Sequence, residues 1–441
     1  MDMLHGPLAG KLFCFALPIA LSSMLQQLFN AADTSIVGRF ADSNALAAVG
    51  TNGEIVALLV TLSAGLAVGA NVRIAQCIGE KNTQNISGIL HTSLVLALLL
   101  GVLGGILIQW IARPLLVLIH TPSEILDAAT VYLRIYGMGL PFLMLYDFGS
   151  AILRAKGNSK LPFLILMASG FLNVLLNLLF VIVCKMNVAG VAIATDLSTA
   201  VSAFCVLWAL HRETAEFHFS PKAVGLQPSY SRQMLAIGIP AAIQGAVFCF
   251  ANIFVQASVN SFGAVATAGT TIAMNFEYFG YYMITAFGQT ATTFTSQNFA
   301  AKAYDRCRKI LLLCLALSFI LSACITVPLT VFRVSCSGIF SPDALVIEAA
   351  CVRIMLILIF EPICTFYEIP AGVLRGAGHA ALPSVLTVIG TCLLRIVWIF
   401  TVFRKFHTLE VLFVIFPISW VVTILLTAVS WIICKPLTPS H

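Results

Sequence analysis

Charge is what this chain lacks. Of its 441 residues only 10% are Asp, Glu, Lys or Arg, while 60% are hydrophobic and the mean hydropathy is +0.99. A soluble domain carries about 25% charged residues, so this composition excludes an ordinary water-soluble fold. The net charge of +6 is small for the length and offers no basic surface for nucleic acid. No GxxxxGK[ST] loop is present, which argues against ATP as the energy source. HExxH and DDxxD runs are missing, and so is any convincing nucleophile–base–acid triad, which removes the usual grounds for an enzyme. CxxC is missing too. The 13 cysteines include Cys14, Cys184, Cys205, Cys249, Cys314, Cys324, Cys392 and Cys434, each alone in an apolar run, where they read as small buried hydrophobes rather than as metal or disulfide partners. The opening MDMLHGPLAGK lacks the basic region and short apolar core of a cleaved signal.

What the chain has is long apolar runs. A membrane span needs about 20 mostly apolar residues. Twelve stretches qualify, near 12–38, 46–71, 87–111, 126–150, 161–183, 188–210, 233–259, 266–295, 308–332, 345–372, 382–403 and 410–433. The one long polar interruption, 211–232, contains Pro221 and Pro228 and divides the runs into six and six. The expected domains are a lobe over 1–211, a linker over 212–232 and a lobe over 233–441. With the N-terminus placed inside, the inside loops hold fifteen Lys and Arg and the outside loops six. Because basic loops stay cytoplasmic, both termini are expected in the cytoplasm of a cell that carries the protein in its plasma membrane.

The halves repeat. LRAKGNSKLP over 153–162 returns as LRGAGHAALP over 374–383, which pairs Arg154 with Arg375 (375 − 154 = 221), Gly157 with Gly378 and Pro162 with Pro383. Pro141 with Pro362, Tyr146–Asp147 with Tyr367–Glu368, Gln76 with Gln297 and Lys81 with Lys302 keep the same spacing. Pro18 and Pro240 pair one residue wider. Six spans is an even number, so both halves enter from the same side. Parallel repeats of this kind are related by a pseudo-two-fold axis along the membrane normal and commonly enclose a transport path. The expected fold is all-α and integral to the membrane, with twelve transmembrane helices in two six-helix lobes. Prolines inside spans remove a backbone donor and can bend the helix, and their placement in both halves fits shaped helices.

An ionisable group inside a span costs roughly 2.5–3.5 kcal/mol on insertion scales and needs a reason. Asp33 is the clearest case. With Gln26, Asn30 and Val37 it lies at helical spacing, so three polar groups share one face of the first span. Two readings are open: a proton or cation site, with Na⁺ as the metal it could take, and a hydrogen-bonded structural acid. The first is favoured. Asn173 and Asn177, four apart in the fifth span, and Thr195 with Asp196 in the sixth add amide and hydroxyl oxygens, a donor set suited to a hard cation or a proton relay. The second half differs. Its seventh span holds Gln244, Asn252 and Gln256 but no carboxylate, and its acids are Glu277, Glu361 and Glu368. Glu277, set among aromatics in AMNFEYFGYYM, suits an organic cation through charge and cation–π attraction, or else is a satisfied acid within an aromatic belt. Arg134, Arg353 and Arg395 also fall within apolar segments.

The first-span Pro18 followed by DTSIVGRF, then LAAVG, GLAVGANVRIAQCIGEKN, LRAKGNSKLP, NVLLN and GVAIAT, and in the second half TFTSQNFAAKAYDR and LRGAGHAALP, together resemble the multidrug and toxic compound extrusion (MATE) family over nearly the whole chain. That resemblance implies two six-helix lobes forming a V and export by alternating access, driven by the return of Na⁺ or H⁺. In the branch resembling DNA-damage-inducible protein F it implies a first-lobe coupling site, whose positions fall here on Asp33, Asn173, Asn177 and Thr195. The branch has an Asp where this chain has Asn177, one titratable group fewer. The branch resembling the norfloxacin exporters uses a seventh-helix acid, which is absent here, so the first branch is assigned.

The resulting expectation is a cation-coupled antiporter exporting organic, cationic or amphipathic compounds. Its substrate-binding candidates are Gln26, Asn30, Asn252, Gln256, Glu277 and Glu368. A small-molecule substrate and membrane lipid are the expected partners, without nucleic acid. A monomer is expected, with no cofactor beyond the coupling ion. The alternative is a lipid-linked precursor flippase of the same broad superfamily, which calls for a more cationic interior than three arginines supply.

Overall fold

The computed structural model describes residues 1–40, 43–213, 215–223 and 225–437; residues 214 and 224 of the expected linker lie outside these. Among the described residues there is no strand. Twelve transmembrane helices form two six-helix lobes. The first six are α1 (Ala9–Phe40), α2 (Ser43–Gly79), α3 (Thr83–Leu118), α4 (Ser123–Ala155), α5 (Lys160–Asn177), prolonged by π-turns over Leu178–Val183, and α6 (Asn187–Arg212). The next three are α7 (Pro228–Asn260), α8 (Ala264–Ala300) and α9 (Tyr304–Val331), with the short α10 (Arg333–Gly338) after them. The tenth span is broken into α11 (Ala344–Arg353), π-turns, a 3₁₀ turn over Glu361–Cys364 and α12 (Thr365–Gly376). The eleventh alternates α13 (Ala381–Thr387) and α14 (Leu394–Trp398) with π-turns, and α15 (Leu409–Cys434) is the twelfth. Pro362 lies inside the 3₁₀ turn, where its missing N–H ends the α ladder.

The sequence repeat is a structural repeat. α2 and α8 begin 221 residues apart (264 − 43) and end 221 apart (300 − 79). Gly157 and Gly378 both take positive φ, 97° and 93°, as the chain leaves α4 and α12. At each, the glycine N–H donates to the carbonyl of the arginine three residues back: Gly157 to Arg154 at 2.8 Å and Gly378 to Arg375 at 3.0 Å. Only glycine adopts that backbone without strain. The shared stretch is therefore a helix stop followed by a new span.

The chain divides into two compact units at positions the expected lobe limits do not mark. One comprises Met1 and Leu21–Ala242, the other Asp2–Ala20 and Ile243–His441. α1 and α7 are thus each split, in both cases within three residues of the in-helix proline, Pro18 or Pro240. The reason is packing. In the second unit Phe15 meets Phe294 of α8 edge-on, with centroids 5.4 Å apart, and Asn298 donates to the Met3 carbonyl at 3.2 Å. In the first unit the start of α7 lies against α2, where a Cβ on Gly65 would stand 2.5 Å from Ala242 Cα. Small residues permit this approach of backbones, which drives helix association where lipid is as apolar as the side chains. Gly65→Leu should therefore destabilise the first unit by about 1–3 kcal/mol. The purified protein's melting temperature should fall; an unchanged temperature would contradict backbone contact at this crossing.

Apolar clusters fill each unit. In the first, Ile74, Leu90, Phe148 and Val206 centre one cluster and Val37, Leu133, Leu140 and Val191 another. In the second, Val255, Ile357, Phe413 and Phe416 centre the larger cluster.

Candidate functional site

The first-unit candidates converge. Asn177 is the last residue of α5 before the π-turns, and its side chain reaches α1. Its Nδ2 donates to Asp33 Oδ1 at 2.5 Å and to Asn173 Oδ1 at 3.2 Å. Asn173 Nδ2 in turn donates to Thr195 Oγ1 at 3.4 Å. The Thr195 hydroxyl donates to the Val191 carbonyl at 3.0 Å, which leaves its lone pairs facing Asn173. Four side chains from three helices form one chain of hydrogen bonds ending on a carboxylate. Asn173 and Asn177 are buried, and Asp33 and Thr195 are half-buried. One atom is unsatisfied: Asn177 Oδ1 is buried and has no partner among the described residues. An orphaned carbonyl oxygen beside a carboxylate is an acceptor set that a small cation, or a proton on Asp33 donating to it, would complete.

Gln26 and Asn30, on the same face of α1, are exposed and stand apart from this chain. Asp147, not named as a candidate from sequence, and Asp196, named only beside Thr195, also lie inside first-unit spans. Asp147 Oδ2 accepts from Ser63 at 2.5 Å. Asp196 abuts Gly139, where any Cβ would collide with its carboxyl group. For Asp147 the signal was available, since its repeat partner is the acid Glu368.

The second-unit candidates are arranged differently. Glu277 is held by Arg353 in a two-pronged ion pair, Nε to Oε1 at 2.6 Å and Nη2 to Oε2 at 2.8 Å, with the side chains 12% and 5% exposed. The Arg353 guanidinium lies 5.1 Å from the Phe413 ring centre and 5.5 Å from that of Phe416. The cation beside Glu277 is the chain's own arginine, and the rings that face it belong to α15. Glu368 pairs with Arg375 at 2.8 Å, and Gln256 donates to Asn260 at 2.9 Å. Asn252 is half-buried on α7. Glu361 is buried, its Oε2 without a partner among the described residues. Arg395, 1% exposed, donates from Nε to Ser419 at 3.1 Å and stacks 4.0 Å over Phe416.

The MatE family model matches this chain twice, over residues 18–179 and over 240–401. The chain belongs to that family. It is a multi-pass membrane transporter and not an enzyme. It is 24% identical over 422 residues to the probable multidrug resistance protein YoeA of Bacillus subtilis (strain 168), covering 93% of this chain and 91% of that one. It is 25% identical over 406 residues to the probable multidrug resistance protein NorM of Thermotoga maritima, covering 90% and 86%. Its fold matches that of a MOP superfamily transporter from Pyrococcus furiosus Vc1 with a TM-score of 0.91 at 20% identity, covering 99% of this chain and 98% of that one.

The two MatE matches begin at the paired prolines and are displaced by 222 residues (240 − 18, and likewise 401 − 179). At that spacing the first-unit site has a counterpart in the chain itself. Asp33 corresponds to Val255 and Thr195 to Pro417, while at the 221-residue spacing of the adjoining Pro162 and Pro383, Asn173 corresponds to Leu394 and Asn177 to Trp398. Val255, Leu394 and Trp398 pack in one apolar cluster of the second unit. Where one copy packs apolar side chains, the other carries a carboxylate and polar oxygens.

Proposed function

We propose that this transporter exports organic compounds, cationic or amphipathic in character, in exchange for H⁺ or Na⁺, and that the first unit holds the coupling ion at Asp33. The observation that carries this is the asymmetry of the repeat. Val255, Leu394, Trp398 and Pro417 show that the fold closes with apolar residues at these positions. The first unit instead keeps an intramembrane carboxylate, which is costly unless it has a function or a partner. Multidrug resistance is in the names of the relatives from Bacillus subtilis and Thermotoga maritima, and it sets the substrate class of this reading.

Asp33 Oδ1, Asn177 Oδ1 and Thr195 Oγ1 would hold the ion, with Asn173 keeping the amide of Asn177 oriented. A bound ion neutralises Asp33 and weakens its pull on Asn177 Nδ2, which frees α1 from α5. α1 belongs to both compact units and carries Pro18 at the division, so a shift of its Asp33 end is transmitted along a helix already lacking one backbone bond. Alternating access then follows from an ion that favours one conformation over the other. This is the first-lobe coupling of the branch resembling DNA-damage-inducible protein F, in a plasma-membrane protein with cytoplasmic termini.

The flippase alternative needs an anion-binding interior. Arg353 is already neutralised by Glu277, which weighs against it. Counterflow of a cationic drug into proteoliposomes under an imposed Na⁺ gradient or an imposed pH gradient tests the reading. One of the two should drive uptake; indifference to both would end it.

Asn177→Asp provides a second check. It would place a second carboxyl beside Asp33, and two coupled acids titrate in two steps. Export should depend more steeply on pH than in the wild-type protein. An unaltered slope would separate Asn177 from the ion site.

A further inference from the structure

We infer that the second unit carries a binding site for the phosphate of an anionic phospholipid headgroup at the start of α9. Lys302, Tyr304, Arg306, Arg308, Lys309 and Leu437 surround a cavity of about 510 Å³. Four of these are cationic, and Asp305 is the one acid on the rim. Arg306 builds the wall. Its guanidinium donates to the carbonyls of Met3 at 3.2 Å, His5 at 3.1 Å and Gly6 at 3.0 Å, so its charge is present but its donors are taken. Arg308 reaches Asp305 at 3.3 Å in a pair open to solvent, 58% and 91% exposed, which is a weak tie. Lys302 and Lys309 are exposed and have no ion-pair partner among the described residues.

The repeat shows that this charge is not demanded by the fold. The same turn occurs 221 residues earlier, with Lys81 and Lys302 both at positive φ, 55° and 59°. There Arg306, Arg308 and Lys309 are replaced by Asn85, Ser87 and Gly88. That copy is covered by protein. The Tyr230 hydroxyl donates to Asn85 at 3.0 Å, the Tyr230 ring lies over Gly88, and the Ser220 N–H donates to His91 at 3.1 Å. One copy keeps only Lys81 of the four cations and is sealed by the linker between the halves; the other has three added cations converging on a cavity. Loop-wide orientation by positive charge asks only for Lys and Arg on the correct side, not for their convergence.

A lipid fits better than a soluble phosphate because of what lies next to the cations. One turn along α9 from Arg308 is Leu312, 64% exposed, and Ile320 follows at 55%. At the end of α15, Ile432 and Ile433 are 69% and 63% exposed. A headgroup phosphate among Lys302, Arg308 and Lys309 would leave its acyl chains against this uncovered aliphatic surface. Basic pockets at the ends of membrane helices bind anionic headgroups in this manner.

The test is native mass spectrometry of the delipidated full-length protein with phosphatidylglycerol, with phosphatidylcholine, and with inorganic phosphate. Phosphatidylglycerol should bind in preference to phosphatidylcholine. Lys302→Gln, Arg308→Gln and Lys309→Gln combined should lower that preference by roughly fivefold per cation removed, while Lys81→Gln in the sealed copy should leave it unchanged. Should the triple variant lose its monodisperse elution, Lys309→Gln alone replaces it, with a fivefold expectation. Retention of the preference by these variants overturns the proposal, and so does an equal loss with Lys81→Gln. Displacement of phosphatidylglycerol by an equal concentration of inorganic phosphate would mark a soluble-anion site and overturn the lipid assignment.

Discussion

Replacing Asp33 with Asn should leave a folded transporter that no longer couples. The substitution keeps the shape and the hydrogen bond with Asn177 but removes the charge. Exchange of a drug against H⁺ or Na⁺ should fall roughly 5–150-fold, the range of a typical coupling free energy. Affinity for the drug in the absence of an ion gradient should change far less, because Asp33 acts through the ion. The measurement is gradient-driven drug counterflow in proteoliposomes at matched protein content. Thr195→Ala, which removes an oxygen but no charge, should give a smaller defect of the same kind. Equal uptake by Asp33→Asn and wild type would return Asp33 to the role of a buried structural acid.

The second large effect is on stability. Glu277→Gln or Arg353→Met leaves one member of a buried, two-pronged pair without its counter-charge. Each should destabilise the second unit by about 3–5 kcal/mol, because the remaining charge keeps its desolvation cost. Glu277→Leu combined with Arg353→Met removes both charges and should recover most of the loss. Unfolding titrations of the purified protein in mixed micelles, arranged as a double-mutant cycle, read this directly. The same double variant decides a functional point. With Arg353 as the cation of Glu277, the double variant keeps its export of cationic drugs; were Glu277 the drug's own partner, that export would be lost.

Much of this was legible in the residues, and particular positions show where legibility stopped. The twelve spans follow from apolar length, and the six-plus-six duplication from LRAKGNSKLP and LRGAGHAALP, because a glycine needed at positive φ and a proline opening the next span constrain both copies. Convergence of Asp33, Asn173, Asn177 and Thr195 was implied by the family resemblance, and the structure supplies the hydrogen bonds that join them. Glu277 was recognisable as a carboxylate beside aromatic rings. Its partner was not, since Arg353 lies 76 residues away on another span and spacing within a helix says nothing of contacts between helices. The π-turns after Asn177 and the broken tenth span were equally hidden: an extra residue in a turn leaves the apolar pattern nearly intact while rotating the side chains that follow. The division of α1 and α7 between units depends on which backbones approach closely, information held by Gly65 and Phe15 only once their partners are known.

The central claim is that substrate and ion exclude one another through Asp33, and equilibrium ion release measures it most directly. A cationic drug is added to the purified protein in weak buffer near neutral pH; proton release is followed with a pH dye, and Na⁺ displacement with radioactive sodium. The account predicts that drug binding expels H⁺ or Na⁺ from the wild-type protein and neither from Asp33→Asn, although both bind the drug. Equal ion release from the two proteins, or drug binding to the wild type with no ion released, would contradict it.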